Sequence, residues 1–252
     1  MAVSETDSRE KILLAAKSEF AEKGYNGSRM DAIAKKAGVN KALIHYYFSN
    51  KEDLYRNVRM KILGIGNRNE VMIYLPKTVL TPQQKLYFIL YYLVKVFQRI
   101  KDRDVFRIFF WEVVEGNRLH EEAVREYRIP QARIITGIIR EGIEKGVFET
   151  SDPRLFTMVI LSFLNMYVLE GELHSDGGII RELYGDADDG TVLDFIIETA
   201  FRSLGVRAKP VKPSVPEELL VFADQLIENI AQNIGDGYAQ AALAKIEEFL
   251  LG

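Results

Sequence analysis

Apolar residues recur every three or four positions along most of this chain, and helix start and stop signals separate the runs. Ile12, Ala16 and Phe20 fall at i, i+4 and i+8 within residues 9–24, and Gly24 offers a left-handed C-cap. Ser28 followed by Asp31 predicts a capping box for a second helix that ends at Gly38. Asn40 predicts the N-cap of a third, with Val39 and Ile44 as a hydrophobic staple, and Asn50, or Ser49 with Glu52, opens a fourth. Thr81-Pro82-Gln83-Gln84 puts proline at the first helical position and glutamine at the third. Asp152-Pro153 and Ser214 with Glu217 begin two more helices. Strand-type alternation is scarce, so the pattern predicts an all-α fold.

Breaks in the pattern organise the rest. Pro130 interrupts a helical run over about 119–145 and predicts a kink or a break. Residues 209–213, "KPVKP", read as a short linker, after which "EELLVFADQLIENIAQNI" and "YAQAALAKIEEFLL" repeat apolar residues at helical spacing. The latter two predict a helical hairpin packed on the body.

Composition narrows the chemistry. The chain of 252 residues has no cysteine, which excludes disulfides, thiolate metal sites and cysteine nucleophiles. "MAVSETDSREK" has no apolar signal-peptide core, and "MVILSFLNMYVL" is too short to span a bilayer, so a cytoplasmic location without membrane association is expected. His120 and His174 lack ligand-type spacing, and "DADDG" (186–190) departs from a calcium loop, so neither metal nor cofactor is expected. The net charge of −3 is uneven: residues 1–61 carry 12 Lys and Arg against 8 Asp and Glu, and the remainder is acidic. A basic head on an acidic body hints at a polyanionic partner.

The head supplies the matching motif. A helix at 29–37, a turn at Gly38-Val39 and a helix at 40–47 have the dimensions of a helix-turn-helix. Ile33, Ala34, Val39, Ile44 and Phe48 fall where a three-helix core against Phe20 needs them. Lys41, Ala42, His45 and Tyr46 are left on one outward face, suited to a major groove. Lys51, and Ser28 with Arg29, start helices whose free N–H groups favour phosphate. Phosphate contacts would position the head, and contacts from 41–46 would specify the sequence.

The stretch "GYNGSRMDAIAKKAGVNKALIHYYFSNKEDLY" resembles the DNA-binding domain of the TetR family of bacterial transcriptional regulators. The resemblance runs through Gly24-Tyr25, Ile33-Ala34, Ala37-Gly38-Val39, Tyr47-Phe48, Lys51-Glu52 and Leu54. It implies that Ser28 and Arg29 touch phosphates, that Lys41, Ala42, Leu43, His45 and Tyr46 face the groove, and that Tyr47 and Lys51 grip the backbone. Leu43 and His45 depart from the residues usual at those positions, so no operator sequence carries over. The resemblance further implies a helical ligand-binding and dimerisation domain, giving a division into 1–61, 62–208 and a C-terminal extension at 209–252.

A protein of this kind is expected to be a homodimeric repressor, released by a small effector from a pseudo-palindromic double-stranded operator. The dimer is expected to form from helices at about 153–172 and 190–204, the second bearing Val192, Phe195, Ile196, Ala200 and Phe201. Phe88, Tyr91, Tyr92, Phe109, Trp111, Asn165 and Tyr167 are candidate pocket residues for a hydrophobic or aromatic effector, with a neutral or cationic ring-containing molecule expected over a phosphorylated or highly acidic one. Glu112 either meets a cationic ligand or faces outward. The rival readings are an all-α enzyme or a helical interaction protein with a vestigial head. No nucleophile–base pair, metal-ligand set or phosphate loop in the sequence favours the enzyme.

Overall fold

The computed structural model describes residues 5–63, 75, 78–99, 103–116, 118–173, 182, 185, 188–207 and 213–231. Among them the helices are α1 (Glu5–Gly27), α2 (Met30–Ala37), α3 (Lys41–Tyr47), α4 (Lys51–Leu63), α5 (Pro82–Arg99), α6 (Arg103–Glu115) and α7 (Arg118–Ala123). A π-helical turn, Val124–Arg128, leads into α8 (Ile129–Glu144), followed by α9 (Pro153–Leu173), α10 (Asp189–Ser203) and α11 (Glu217–Ala231). His174, Asp186, Ala187, the 209–212 part of the linker and the whole of "YAQAALAKIEEFLL" lie outside the described residues.

The chain divides into two compact units, Met1–Ile65 with Asp102–Arg125, and Gly66–Lys101 with Glu126–Gly252. The first therefore contains residues 102–125, which a linear division at residue 61 assigns to the second domain. In this unit Phe20, Ile12, Ile33, Ile44, Phe48, Leu54 and Tyr55 form the buried core, joined by Ile108 of α6 and Leu119 of α7. Local sequence explains the helix ends. Gly24 has φ 68° and breaks α1, although the helix resumes to Gly27 instead of stopping. Asn40 caps α3 by accepting from the Leu43 N–H at 2.8 Å. Asn50 caps α4 through the Asp53 N–H at 2.9 Å, and Asp53 returns a bond from the Ser49 N–H. Asn50 thus does the capping left open between Ser49 and Asn50.

The capping box expected at Ser28 is absent. The N-cap of α2 is Arg29, with no side-chain cap bond, because the buried Ser28 hydroxyl turns back to donate to the Tyr25 carbonyl at 2.9 Å.

In the second unit α5 packs against α8, α10 and α11, and its Leu86, Ile89, Leu90 and Leu93 join Ile135, Ile139, Ile197 and Phe201 in the core. Thr81 and Gln84 complete a reciprocal capping box, with N–H to side-chain distances of 3.0 and 3.3 Å. Pro130 sits in the first turn of α8, not at a mid-helix break. Proline lacks an N–H and its ring crowds the carbonyl four residues back, so the irregular π turn falls just upstream. Asp188 caps α10 through the Thr191 N–H at 2.7 Å. Thr157 donates to the Pro153 carbonyl, which leaves Thr136 to donate to Thr157 at 3.1 Å and tie α8 to α9. Among the described residues, no helix is long and apolar enough to cross a membrane.

Candidate nucleic-acid interface

Helix α3 has two faces. Ile44 and Phe48 are fully buried and Leu43 and Tyr47 pack half-buried against the same core, while Lys41, Ala42, His45 and Tyr46 are exposed. The i, i+1, i+4, i+5 spacing therefore leaves an outward strip with a cation, a small residue, an imidazole and a phenol. Tyr46 is 68% exposed and meets the ring of Tyr47 edge-on, with centroids 5.0 Å apart. Such a strip suits a duplex major groove, where small residues permit close approach and polar tips meet base edges. Leu43, expected on the groove face, is shared with the core instead.

The residues expected at phosphates behave differently from one another. Arg29 is exposed at the start of α2. Ser28 is buried and bonded internally. Lys51 donates to the Ser28 carbonyl at 2.6 Å and lies 4.8 Å from the Tyr25 ring centroid. Burial of this ammonium lowers its pKa despite the pull of Glu115 and Glu19. The Tyr25 ring in turn stacks on Phe20 and meets Tyr55 edge-on at 5.1 Å. Ser28, Tyr25 and Lys51 thus brace the turn between α1 and α2. Nothing local in the sequence separates an inward lysine from an outward one.

Helix α2 is held on α1 by Lys36, which pairs with Glu19 at 3.0 Å and Glu22 at 2.9 Å. Lys41 pairs with Asp31 at 3.0 Å.

The candidate effector residues divide between the two units. Phe88 and Tyr92 are buried in the core of the second unit and stack at 6.5 Å, while Tyr91 donates to Asp224 of α11 at 2.8 Å. Asn165 is half-buried and donates to Leu161 within α9, and Tyr167 stacks on Phe163. Phe109, Trp111 and Glu112 belong to the first unit. Glu112 is neither exposed nor free for a cationic ligand. Its carboxylate lies 2.8 Å from Arg59 Nε, accepts from the Tyr55 hydroxyl at 3.0 Å and is 4% exposed. Burial raises the Glu112 pKa, opposed by Arg59 and by the Tyr55 hydrogen bond. A buried guanidinium needs such a partner, which the sequence pattern on α6 alone does not reveal.

Further α6 contacts join the head. Trp111 donates its indole N–H to Ala21, and Glu115 accepts from the Asn26 N–H at 3.0 Å. Around the rim, Glu52 accepts from Arg56 at 2.9 Å and from Arg118 at 2.5 Å.

The expected dimer helices carry different faces. On α9, Leu155, Met158, Val159, Phe163 and Met166 are exposed apolar residues. On α10 only Phe195 of the expected stripe is exposed, while Ile196, Ala200 and Phe201 are buried within their own unit.

Comparison with known proteins agrees with this geometry. Residues 12–58 match the model of "Bacterial regulatory proteins, tetR family", and residues 79–168 match "Tetracyclin repressor-like, C-terminal domain". The fatty acid metabolism regulator protein of Bacillus subtilis is 30% identical over 61% of this chain and 78% of that protein. The HTH-type transcriptional repressor SCO4008 of Streptomyces coelicolor is 30% identical over 72% of this chain and 85% of that protein. The crystal structure of HlyIIR, a hemolysin II transcriptional regulator, is 27% identical with a TM-score of 0.55, covering 78% of this chain and 98% of that one. Regulators of this kind bind operator DNA as dimers and respond to small-molecule effectors. The chain belongs to the TetR family of DNA-binding transcriptional regulators.

Proposed function

We propose that the chain is a homodimeric repressor that reads its operator through Lys41, Ala42, His45 and Tyr46. The observation that carries this is the exposed strip on α3 above the buried Ile44 and Phe48. Arg29 and Tyr47 flank the strip and supply backbone contacts, while Ser28 and Lys51 hold the turn that presents Arg29. Two copies, meeting through the apolar face of α9, would read half-sites one helical turn or a multiple apart. The setting is the cytoplasm, where bacterial DNA lies. Enrichment of binding sites from a random duplex pool, followed by footprinting, tests this. A two-fold symmetric consensus protected in two patches is expected; no enrichment would overturn it.

A small hydrophobic effector in the second unit releases the operator. The relative named for fatty acid metabolism supports an apolar chain. The engagement of Glu112 by Arg59 removes the reason for a cationic aromatic molecule. Duplex release should follow addition of long-chain acids or their thioesters. Release by aromatic cations alone would reverse this choice.

A further inference from the structure

Asp31 stands in the first turn of α2, and its carboxylate meets the ammonium of Lys41 on α3 through both oxygens, at 3.0 and 3.1 Å. The two side chains are 75% and 49% exposed, so the pair is open to solvent and readily exchanged. Other acidic groups of the head are turned elsewhere: Glu19 and Glu22 to Lys36, Glu52 to Arg56 and Arg118. Asp31 thus sets a negative charge directly beside a cation of the groove-reading strip.

We propose that Asp31 is a specificity-determining residue, acting through Lys41 to suppress binding that depends on phosphate charge alone. The inference rests on the DNA-binding role proposed for α3. Sequence-independent affinity comes from cations that neutralise phosphates and release counterions. A lysine already compensated by a carboxylate contributes less of that term, because a phosphate has to displace the carboxylate to reach it. A matched base edge offers directional acceptors, such as guanine O6 and N7, that replace the carboxylate at a fixed position. Asp31 therefore lowers affinity for arbitrary duplex more than for a matched site, and widens the ratio between them.

The test uses the full chain and a random-sequence duplex of about three helical turns, titrated over a series of salt concentrations. Asp31→Asn should bind that duplex roughly two- to fivefold tighter, the exchange of one exposed ion pair. Its salt dependence should steepen by about 0.9 in log–log slope, for one added phosphate contact. In a Lys41→Met background the same substitution should change neither quantity. Unchanged or weaker binding by Asp31→Asn would overturn the proposal. So would an equal gain in both backgrounds, which would make Asp31 a general repulsive charge instead of a partner of Lys41. Wild-type protein that failed to bind any duplex at low salt would overturn the DNA-reading role itself, and this inference with it.

Discussion

The indole N–H of Trp111 donates to the main-chain carbonyl of Ala21 at 3.2 Å, joining α6 to α1 just before the break at Gly24. The bond fastens α6 to the last turn before the helix departs from regular geometry. Trp111 is the single tryptophan of the chain, so intrinsic fluorescence reports on this joint. Replacing Trp111 with Phe should destabilise the first unit by about 1–3 kcal/mol, from the lost bond and a smaller ring. Urea unfolding followed by circular dichroism measures it.

Gly24 makes a sharper case. A Cβ there would lie 2.4 Å from Glu115 Oε1 and 3.0 Å from the Trp111 ring, on a backbone at φ 68°. Gly24→Ala should therefore cost about 1–3 kcal/mol, seen as a lower melting temperature. Adding Glu115→Ala should recover part of the loss; the left-handed backbone keeps the rest.

Glu112 and Arg59 form a buried pair, 4% and 5% exposed. Glu112→Ala strands the guanidinium, and a loss of about 3–5 kcal/mol is expected on denaturant unfolding. Replacing both residues with Met should cost much less than the single change. A double substitution as damaging as Glu112→Ala would show that packing, not the stranded charge, sets the cost.

The half-buried Asp152 at the start of α9 has its pKa lowered to about 2, from 3.8, by the Arg154 guanidinium and N–H and by the Leu155 N–H. A depressed folded-state pKa means that its contribution is present above pH 3.8 and is lost as the pH falls toward 2. Asp152→Asn can still cap the helix but does not titrate there. Acid unfolding of that variant should show a shallower loss of stability between pH 3.8 and about 2.

Helix α11 buries Leu219, Ala223 and Ile227 in the second core, and Asp224 and Ser214 accept from Tyr91 and Gln84 of α5. Ending the chain at Arg207 should lower stability by roughly 3–5 kcal/mol, mainly from the lost burial of Leu219 and Ile227 and from two hydrogen bonds. Unchanged thermal unfolding would show that α11 contributes nothing to the body.

Legibility in the sequence follows separation along the chain. The Asn40 cap and the Thr81–Gln84 box are closed by partners three residues away, and the sequence alone identifies them. The outward strip of α3 follows from helical periodicity around Ile44. The side-chain assignments that changed depend on distant partners. Lys51 and Ser28 are 23 residues apart, Tyr55 and Glu112 are 57 apart, and Ala21 and Trp111 are 90 apart. Whether a lysine points to solvent or a glutamate meets a buried arginine depends on which helices fold together, and periodicity within one helix does not contain that.

The discontinuous make-up of the first unit also constrains how such proteins exchange parts. A cut at residue 61 or 65 would remove Ile108 and Leu119 from the core, the Glu112 counter-charge from Arg59, and the Trp111 and Glu115 partners of α1. Recombination that grafts a new DNA specificity onto an existing body therefore has to carry residues 102–125 along with the N-terminal segment. Otherwise it must land on a body whose own equivalent stretch already fits the incoming head.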